Sequence, residues 1–594
     1  MLDTRLRPLA CILLMLSLAA CSTSPESERG PVAAAPGQAA ARTEAGADSR
    51  AVSQPARIVR EQEAVFGKAA PAPRPAAPMH DQAFARRLAM PQAAVKAVPG
   101  YQPVPMQEAS HERYAALEQG GVTATAKQPF STFSIDVDTG AYANVRRMLM
   151  AGQLPPDDAV RIEELINYFP WESRPVARRG EPFAVQTEVA PAPWNANRLL
   201  LRVGIRAMDA RQAELPPANL VFLVDVSGSM SSANKLPLLK NALRLLTDTL
   251  RPQDRVSLVT YASGTQVVLP PTPGSERGTI RAALEALRPG GATAGEAGIR
   301  LAYEMARQGF RKGGINRILL ATDGDFNVGL SDFEALKSLV EDRRRSGVSL
   351  TTLGFGTGNY REDLMEQLAD AGDGNYAYID TLNEAHKVLV EEAASTLSIV
   401  ARDVKIQMEF NPAVVSEYRL IGYENRALAR EDFRNDKVDA GEVGAGHGVT
   451  ALYELSLVGT PGQLGDSRYA RPAPVSGHGD ELGMLRLRYK QPAGGASREI
   501  EVAVQREQIE PAAAASTDLR FTAAVAAFGQ HLRGGKYLGS FGPAQIEQLA
   551  AGARGEDRFG YRGEFLRLVK LAGALQTPSP QPCSATREDG ACAD

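Results

Sequence analysis

The sequence predicts an α/β fold: a doubly wound, mostly parallel sheet over 215–400, flanked by an α+β module before it and a β-rich module after it. Three observations predict this. Between Ala218 and residue 399, short apolar runs alternate with helical patterns, as a parallel sheet covered on both sides requires. Residues 219–226 are almost continuously apolar, the pattern of a strand buried on both faces. On either side, short runs alternate apolar and polar residues, as half-buried strands do.

The elements follow in order. Arg5 and Arg7 precede a run, 9–20, that is apolar except for Ser17 and too short to cross a bilayer. Residues 1–20 therefore read as a signal peptide. The run ends Leu18-Ala19-Ala20-Cys21, which resembles the bacterial lipobox. That resemblance implies that Cys21 becomes the acylated N-terminus. Ser22 behind it implies the outer membrane, facing the periplasm. Residues 22–100 hold 22 Ala and 10 Pro without apolar periodicity, and such a segment buries too little surface to offset its ordering entropy. We therefore assign 21–128 as a tether.

In the first module, 129–210, a strand is expected at 130–137 and helices at 142–151 and 160–169, with Ile162, Leu165, Ile166 and Phe169 as the apolar stripe of the second. Strands at 183–189 and 199–205 complete it. In the central domain, strands are expected at 219–226, 255–261, 265–269, 316–321, 348–355 and 374–379. Helices are expected at 236–250, 276–288, 294–309, 331–345, 360–371 and 383–399. The last module, 401–576, places strands at 404–410, 418–423, 449–457, 483–489 and 499–505, then helices at 519–531, 544–550 and 561–575. Residues 577–594 read as a disordered tail. It carries Cys583 and Cys592, which an oxidising compartment lets pair and which otherwise remain free thiols.

The chemistry concentrates where 219–226 ends, in Asp225-Val226-Ser227-Gly228-Ser229. The carboxyl ends of parallel strands are where open α/β sheets place ligands. Gly228 lets the chain curl so that both hydroxyls converge, and hydroxyl and carboxylate oxygens are hard ligands for Mg²⁺, Ca²⁺ or Mn²⁺. Taken singly, these residues also suit a turn, a later Thr suits a helix cap, and an Asp-Gly pair suits a loop.

These residues resemble the metal-ion-dependent adhesion site of the von Willebrand factor type A (VWA) domain, Asp-x-Ser-x-Ser followed by a Thr and an Asp from later loops. The matching Thr is Thr293, in Gly290-Gly291-Ala292-Thr293-Ala294-Gly295. The matching Asp is Asp323, in Leu319-Leu320-Ala321-Thr322-Asp323-Gly324. The resemblance implies that Ser227, Ser229 and Thr293 bind the ion through side-chain oxygens, with Asp225 and Asp323 acting directly or through water. It implies Mg²⁺ as cofactor, with Mn²⁺ or Ca²⁺ as alternatives, and a carboxylate from a partner protein to complete the shell. A glycan is the alternative partner. Asp325 and Asn327 are taken to shape the loop. The runs 138–147 and 161–169 resemble the module that precedes the VWA domain in a family of bacterial lipoproteins, and the region after 400 resembles that family's C-terminal module. Arg146, Arg147, Glu163 and Glu164 are expected on solvated faces or in intramolecular bridges.

Composition narrows the function classes. The chain of 594 residues carries 66 Lys+Arg against 69 Asp+Glu, without the basic excess a nucleic-acid binder needs. Its six His, at 80, 111, 386, 447, 478 and 531, show no ligand spacing. No His-Glu-x-x-His, Gly-x-Ser-x-Gly or phosphate-loop signature occurs. The reading is a lipid-anchored envelope protein, not an enzyme, that binds a partner through a divalent cation. The rivals are a metal-dependent hydrolase, for which no separate general base is offered, and a structural lipoprotein with a non-functional site.

Overall fold

The computed structural model describes residues 111–173, 175, 180–209, 215–293, 295–324, 330–465 and 478–576, all within the unit Gln102–Asp594. Cys21, Asp325, Asn327, Cys583, Cys592, the signal peptide and the tail lie outside the described residues.

Before the parallel sheet the described residues form β1 (Thr123–Ala124), β2 (Phe130–Ser134), α1 (Gly140–Met150), α2 (Ile162–Asn167), β3 (Phe183–Ala192) and β4 (Asn195–Ala207). The central domain runs β5 (Ala218–Asp225), α3 (Leu236–Thr249), β6 (Arg255–Tyr261), β7 (Thr265–Pro273), α4 (Arg277–Ala286), α5 (Gly295–Gln308), β8 (Ile315–Thr322), α6 (Leu330–Arg344), β9 (Ser349–Phe355), α7 (Glu362–Ala371), β10 (Tyr376–Ile379), α8 (Leu382–His386) and α9 (Ala393–Leu397). Then come β11 (Ile399–Phe410), β12 (Val415–Ile421), β13 (Val443–Gly444), β14 (Gly448–Leu457), β15 (Glu481–Lys490), β16 (Arg498–Gln505), α10 (Thr517–Leu532), α11 (Pro543–Gly552) and α12 (Tyr561–Gln576).

The central sheet has the order β10-β9-β8-β5-β6-β7. Its pairs are parallel except β6 with β7. Alternation along β5 shows why 220–224 are all apolar. Val221 and Leu223 join the core under α5, α6 and α7, while Leu220, Phe222 and Val224 join the core under α3 and α4. Fully burying one such side chain contributes about 1.5–3 kcal/mol. The doubly wound α/β fold expected from sequence is the one observed.

The flanking modules are not separate. β2 pairs with β11 and β4 with β14, so segments from both sides of the central domain share two antiparallel sheets. These sheets face each other across a core that includes Leu201, Tyr453, Ile406 and Leu485. Leu200 and Leu452, on the opposite face, pack under α1, α2, α10 and α12 with Ile162, Phe521 and Phe565. The stretches 129–210 and 401–576 therefore build one body rather than two modules.

Two further expectations fail. Residues 111–128 are held in place, although they were assigned to the tether: β1 pairs with β12, Arg113 bridges to Arg361, and Thr125 is fully buried. Backbone pairing and the Glu112–Arg147 bridge at 2.8 Å fix this stretch, and neither leaves a hydrophobic period. The single helix expected at 383–399 is also interrupted. Between α8 and α9 the chain makes a π turn, Lys387–Glu391. The Lys387 stem is buried there, and its ammonium bonds Glu392 at 2.7 Å and lies 4.3 Å from the centre of the Tyr168 ring.

Arg146, Arg147 and Glu164 take the second of their two expected places, intramolecular bridges rather than solvated faces. Arg146 binds Asp380, Glu384 and Glu564. Arg161, at the start of α2, binds Glu362 and Glu366 of α7. Arg426 binds Glu366 and Asp370 of the central domain together with Asp136 and Asp138. Arginines of the flanking body therefore meet carboxylates of the central domain. Glu163 is buried, and that burial, beside Glu424 and Asp136, pushes its carboxyl up to about 7.

Candidate functional site

β5 and β8 are parallel neighbours in the middle of the sheet, so their carboxyl ends deliver Asp225 and Asp323 to one edge. Both residues are buried, at 0% and 1% exposed. The Asp225 carboxylate organises the loop that follows it. One oxygen accepts the backbone N–H of Ser227 at 2.8 Å, and the other accepts the Thr322 hydroxyl at 2.8 Å. The chain then makes a short 3₁₀ turn, Gly228–Ser231, anchored by buried Met230. The Ser227 and Ser229 hydroxyls lie 2.9 Å apart.

Thr293 comes from the loop before α5. That loop is tied to the Asp225 loop by Gly290 N–H to Val226 O at 2.8 Å and Gly228 N–H to Gly291 O at 3.0 Å. Gly291 has φ +90°, and a Cβ there would press on Ser263, whose hydroxyl accepts the N–H of Ala292 at 2.9 Å. Thr293 itself is half-buried. The five residues singled out in the sequence thus sit on two adjoining strand ends and one loop bonded to them.

Electrostatics favour a cation here. Desolvation by burial pushes the Asp225 carboxyl up to about 6; the bonds to Ser227 and Thr322 pull against that, and the neighbouring Asp323 adds to it. Two buried carboxylates on adjoining strand ends repel each other, and the Lys235 ammonium, 2.7 Å from Asp323 Oδ2, offsets part of that repulsion while leaving a net negative charge for a further cation to meet. Among the described residues no trio of His, Cys, Asp or Glu forms a metal-binding group. Any ion held here would therefore rest on hydroxyl oxygens beside two carboxylates. That donor set fits a hard dication and offers none of the His or Cys ligands that would give Zn²⁺ a preference.

Comparison with known proteins gives three family profiles in chain order. The profile described as von Willebrand factor matches residues 108–202, and the von Willebrand factor type A domain matches 220–325. The C-terminal region of "Uncharacterized protein YfbK" matches 395–575. The Escherichia coli (strain K12) protein of that name is 50% identical over 471 residues, 78% of this chain and 81% of the relative. The chain belongs to the YfbK family of VWA-domain proteins. A Synechocystis protein, sll0103, is 30% identical over 198 residues, 33% of this chain and 45% of its own. Among solved structures, a von Willebrand factor type A protein from Catenulispora acidiphila aligns at a TM-score of 0.39 and 16% identity, covering 66% of this chain and 91% of that one.

In this YfbK-family chain the site contains groups that the five-residue pattern misses. Thr322 links the two strand ends through its bond to Asp225, and its place directly before Asp323 was the available signal. Lys235, 6% exposed, donates to Asp323 Oδ2 at 2.7 Å and to Asn359 Oδ1 at 3.1 Å. Nothing in its local sequence marks it, because the contact runs from the start of α3 across to the end of β8.

Proposed function

We propose that the protein is a lipid-anchored envelope receptor that binds a protein partner through a divalent cation, Mg²⁺ first, at Asp225, Ser227, Ser229, Thr293 and Asp323. The observation that carries this reading is the pair of buried carboxylates on β5 and β8, joined through Thr322, with two serine hydroxyls in contact beside them. When bound, the ion supplies an open coordination position for an oxygen ligand. The protein's own residues hold the strand ends together, curl the 227–229 loop and keep the carboxylates dry. The 31% to 33% identities to magnesium-chelatase subunits of Cereibacter sphaeroides and Rhodobacter capsulatus cover 34% and 23% of this chain, and they bring no activity to it.

Calorimetric titration of the full chain tests the site. Mg²⁺ or Mn²⁺ is expected to bind, and a failure of both to bind at millimolar concentration would overturn the assignment. A complementary capture of envelope proteins should yield a partner with Mg²⁺ present and none with EDTA.

Anchoring is tested separately. The Leu18-Ala19-Ala20-Cys21 run predicts that Cys21→Ser moves the protein from the membrane fraction to the soluble fraction. A Cys21→Ser protein that still sediments with membranes, together with a wild type that takes up no labelled fatty acid, would remove the lipid anchor from this reading.

A further inference from the structure

We infer that Lys235 acts as an internal counter-cation of the ion site and makes the ion-loaded site selective for an anionic ligand. This inference rests on the metal reading above and goes beyond its five residues.

The placement of Lys235 is over-determined. Its ammonium sits 2.7 Å from Asp323 Oδ2 and 3.1 Å from Asn359 Oδ1. Its backbone N–H bonds Ser232 O at 3.0 Å, and its carbonyl accepts from Leu239 N–H at 2.9 Å, so the residue is fixed at the start of α3. Its stem runs along Gly356, which adopts φ +81°; a Cβ at that position would collide with the lysine chain. The Gly356 carbonyl is itself held by the Tyr378 hydroxyl. A lysine with four-carbon freedom is thus confined in a slot with its charge against one oxygen of a candidate ion ligand.

Two consequences follow from charge and geometry. Asp323 Oδ2 already accepts from the Lys235 ammonium at 2.7 Å, so part of the Asp323 charge is answered before any ion binds. The charge balance also changes. With two aspartates alone, a dication brings the site to neutrality, and an incoming carboxylate leaves an excess negative charge. With Lys235 included, the loaded site carries one positive charge, and a carboxylate neutralises it. In a buried setting that difference is weakly screened. Lys235 therefore weakens retention of the bare ion and strengthens capture of an anionic ligand. It is a positioning and specificity residue.

The test uses the full chain in detergent micelles, with Mn²⁺ as the ion and acetate as the carboxylate, followed by water-proton relaxation. Lys235→Met removes the charge and keeps most of the stem, and Lys235→Arg keeps the charge. Lys235→Met is expected to bind Mn²⁺ about fivefold or more tighter than wild type. On the Mn²⁺-loaded protein, acetate should displace ion-bound water at least about tenfold less readily. Lys235→Arg should restore acetate binding. Equal Mn²⁺ and acetate affinities in wild type and Lys235→Met would overturn the inference. So would a Lys235→Met protein that melts like wild type yet has lost Mn²⁺ binding. If wild type itself binds no Mn²⁺, the metal reading fails instead.

Discussion

Asp225→Asn is expected to leave the ion-free protein nearly as stable as wild type and to abolish its stabilisation by Mg²⁺. The amide oxygen can still accept one of the two bonds that the carboxylate accepts from Ser227 N–H and the Thr322 hydroxyl. The lost bond costs about 1 kcal/mol, and this is offset by removing a buried charge that faces Asp323. For wild type, Mg²⁺ at a hundred times its Kd adds about 2.7 kcal/mol by linkage. A protein of this size registers that gain as a rise in Tm of about two to three degrees. The variant should gain almost nothing, because the oxygen that remains is neutral. Thermal melts of both proteins in EDTA and in Mg²⁺ decide it. If Asp225→Asn unfolds in EDTA, the carboxylate is a structural bracket between β5 and β8. If the variant still gains stability from Mg²⁺, the ion is bound elsewhere. Protons compete with the ion at this residue. Its carboxyl titrates at about 6 in the ion-free protein because of burial, so the Mg²⁺ gain should shrink as pH falls below that value.

The sequence reveals this site because its chemistry is local. Asp225, Ser227 and Ser229 occur within five positions of one strand end, and Asp323 ends another strand whose apolar run is equally plain. Alternation along β5 feeds two cores, and this writes the doubly wound sheet directly into the residue order. What the sequence hides is long-range. Lys235 reaches Asp323 across 88 positions, aimed by the slot at Gly356 and the bond to Asn359. β4 and β14 are separated by the whole central domain, and no local pattern says that their strands pair. Residues 111–128 stay in place through backbone bonds and an ion pair, which are invisible to hydrophobic periodicity. The π turn at Lys387 answers to a buried ammonium that must find Glu392 and an aromatic face. The same blindness covers the electrostatic seam. The sequence leaves Glu163 and Glu164 open between a solvated helix face and an intramolecular bridge, and both are fully buried.

That seam predicts a large stability effect. Arg161→Met is expected to cost about 3–5 kcal/mol at pH 8, the usual penalty for breaking a buried pair from one side. Arg161 is 1% exposed. Its guanidinium reaches Glu362 at 3.0 Å and Glu366 at 2.7 Å, with Glu164 at 3.5 Å. Methionine fills much of the stem's volume but leaves these carboxylates in a dry interface, where Arg426, at 3.1 Å from Glu366, still offers a charge. The pH dependence separates charge from packing. Burial already holds Glu366 and Glu362 above the ordinary carboxylate range, against the pull of Arg161, and losing the arginine raises them further. Folded carboxyls then bind protons more tightly than unfolded ones, so stability falls as pH rises from the ordinary carboxylate range through the raised values. Arg161→Met should therefore recover much of its loss at pH 5, and adding Glu366→Gln should recover part of it at pH 8. Denaturant melts of wild type, Arg161→Met and the double variant at the two pH values check this. A loss that is the same at pH 5 and pH 8, and untouched by Glu366→Gln, would show that Arg161 contributes through its packed stem and that the seam between the VWA domain and its flanking body does not depend on charge.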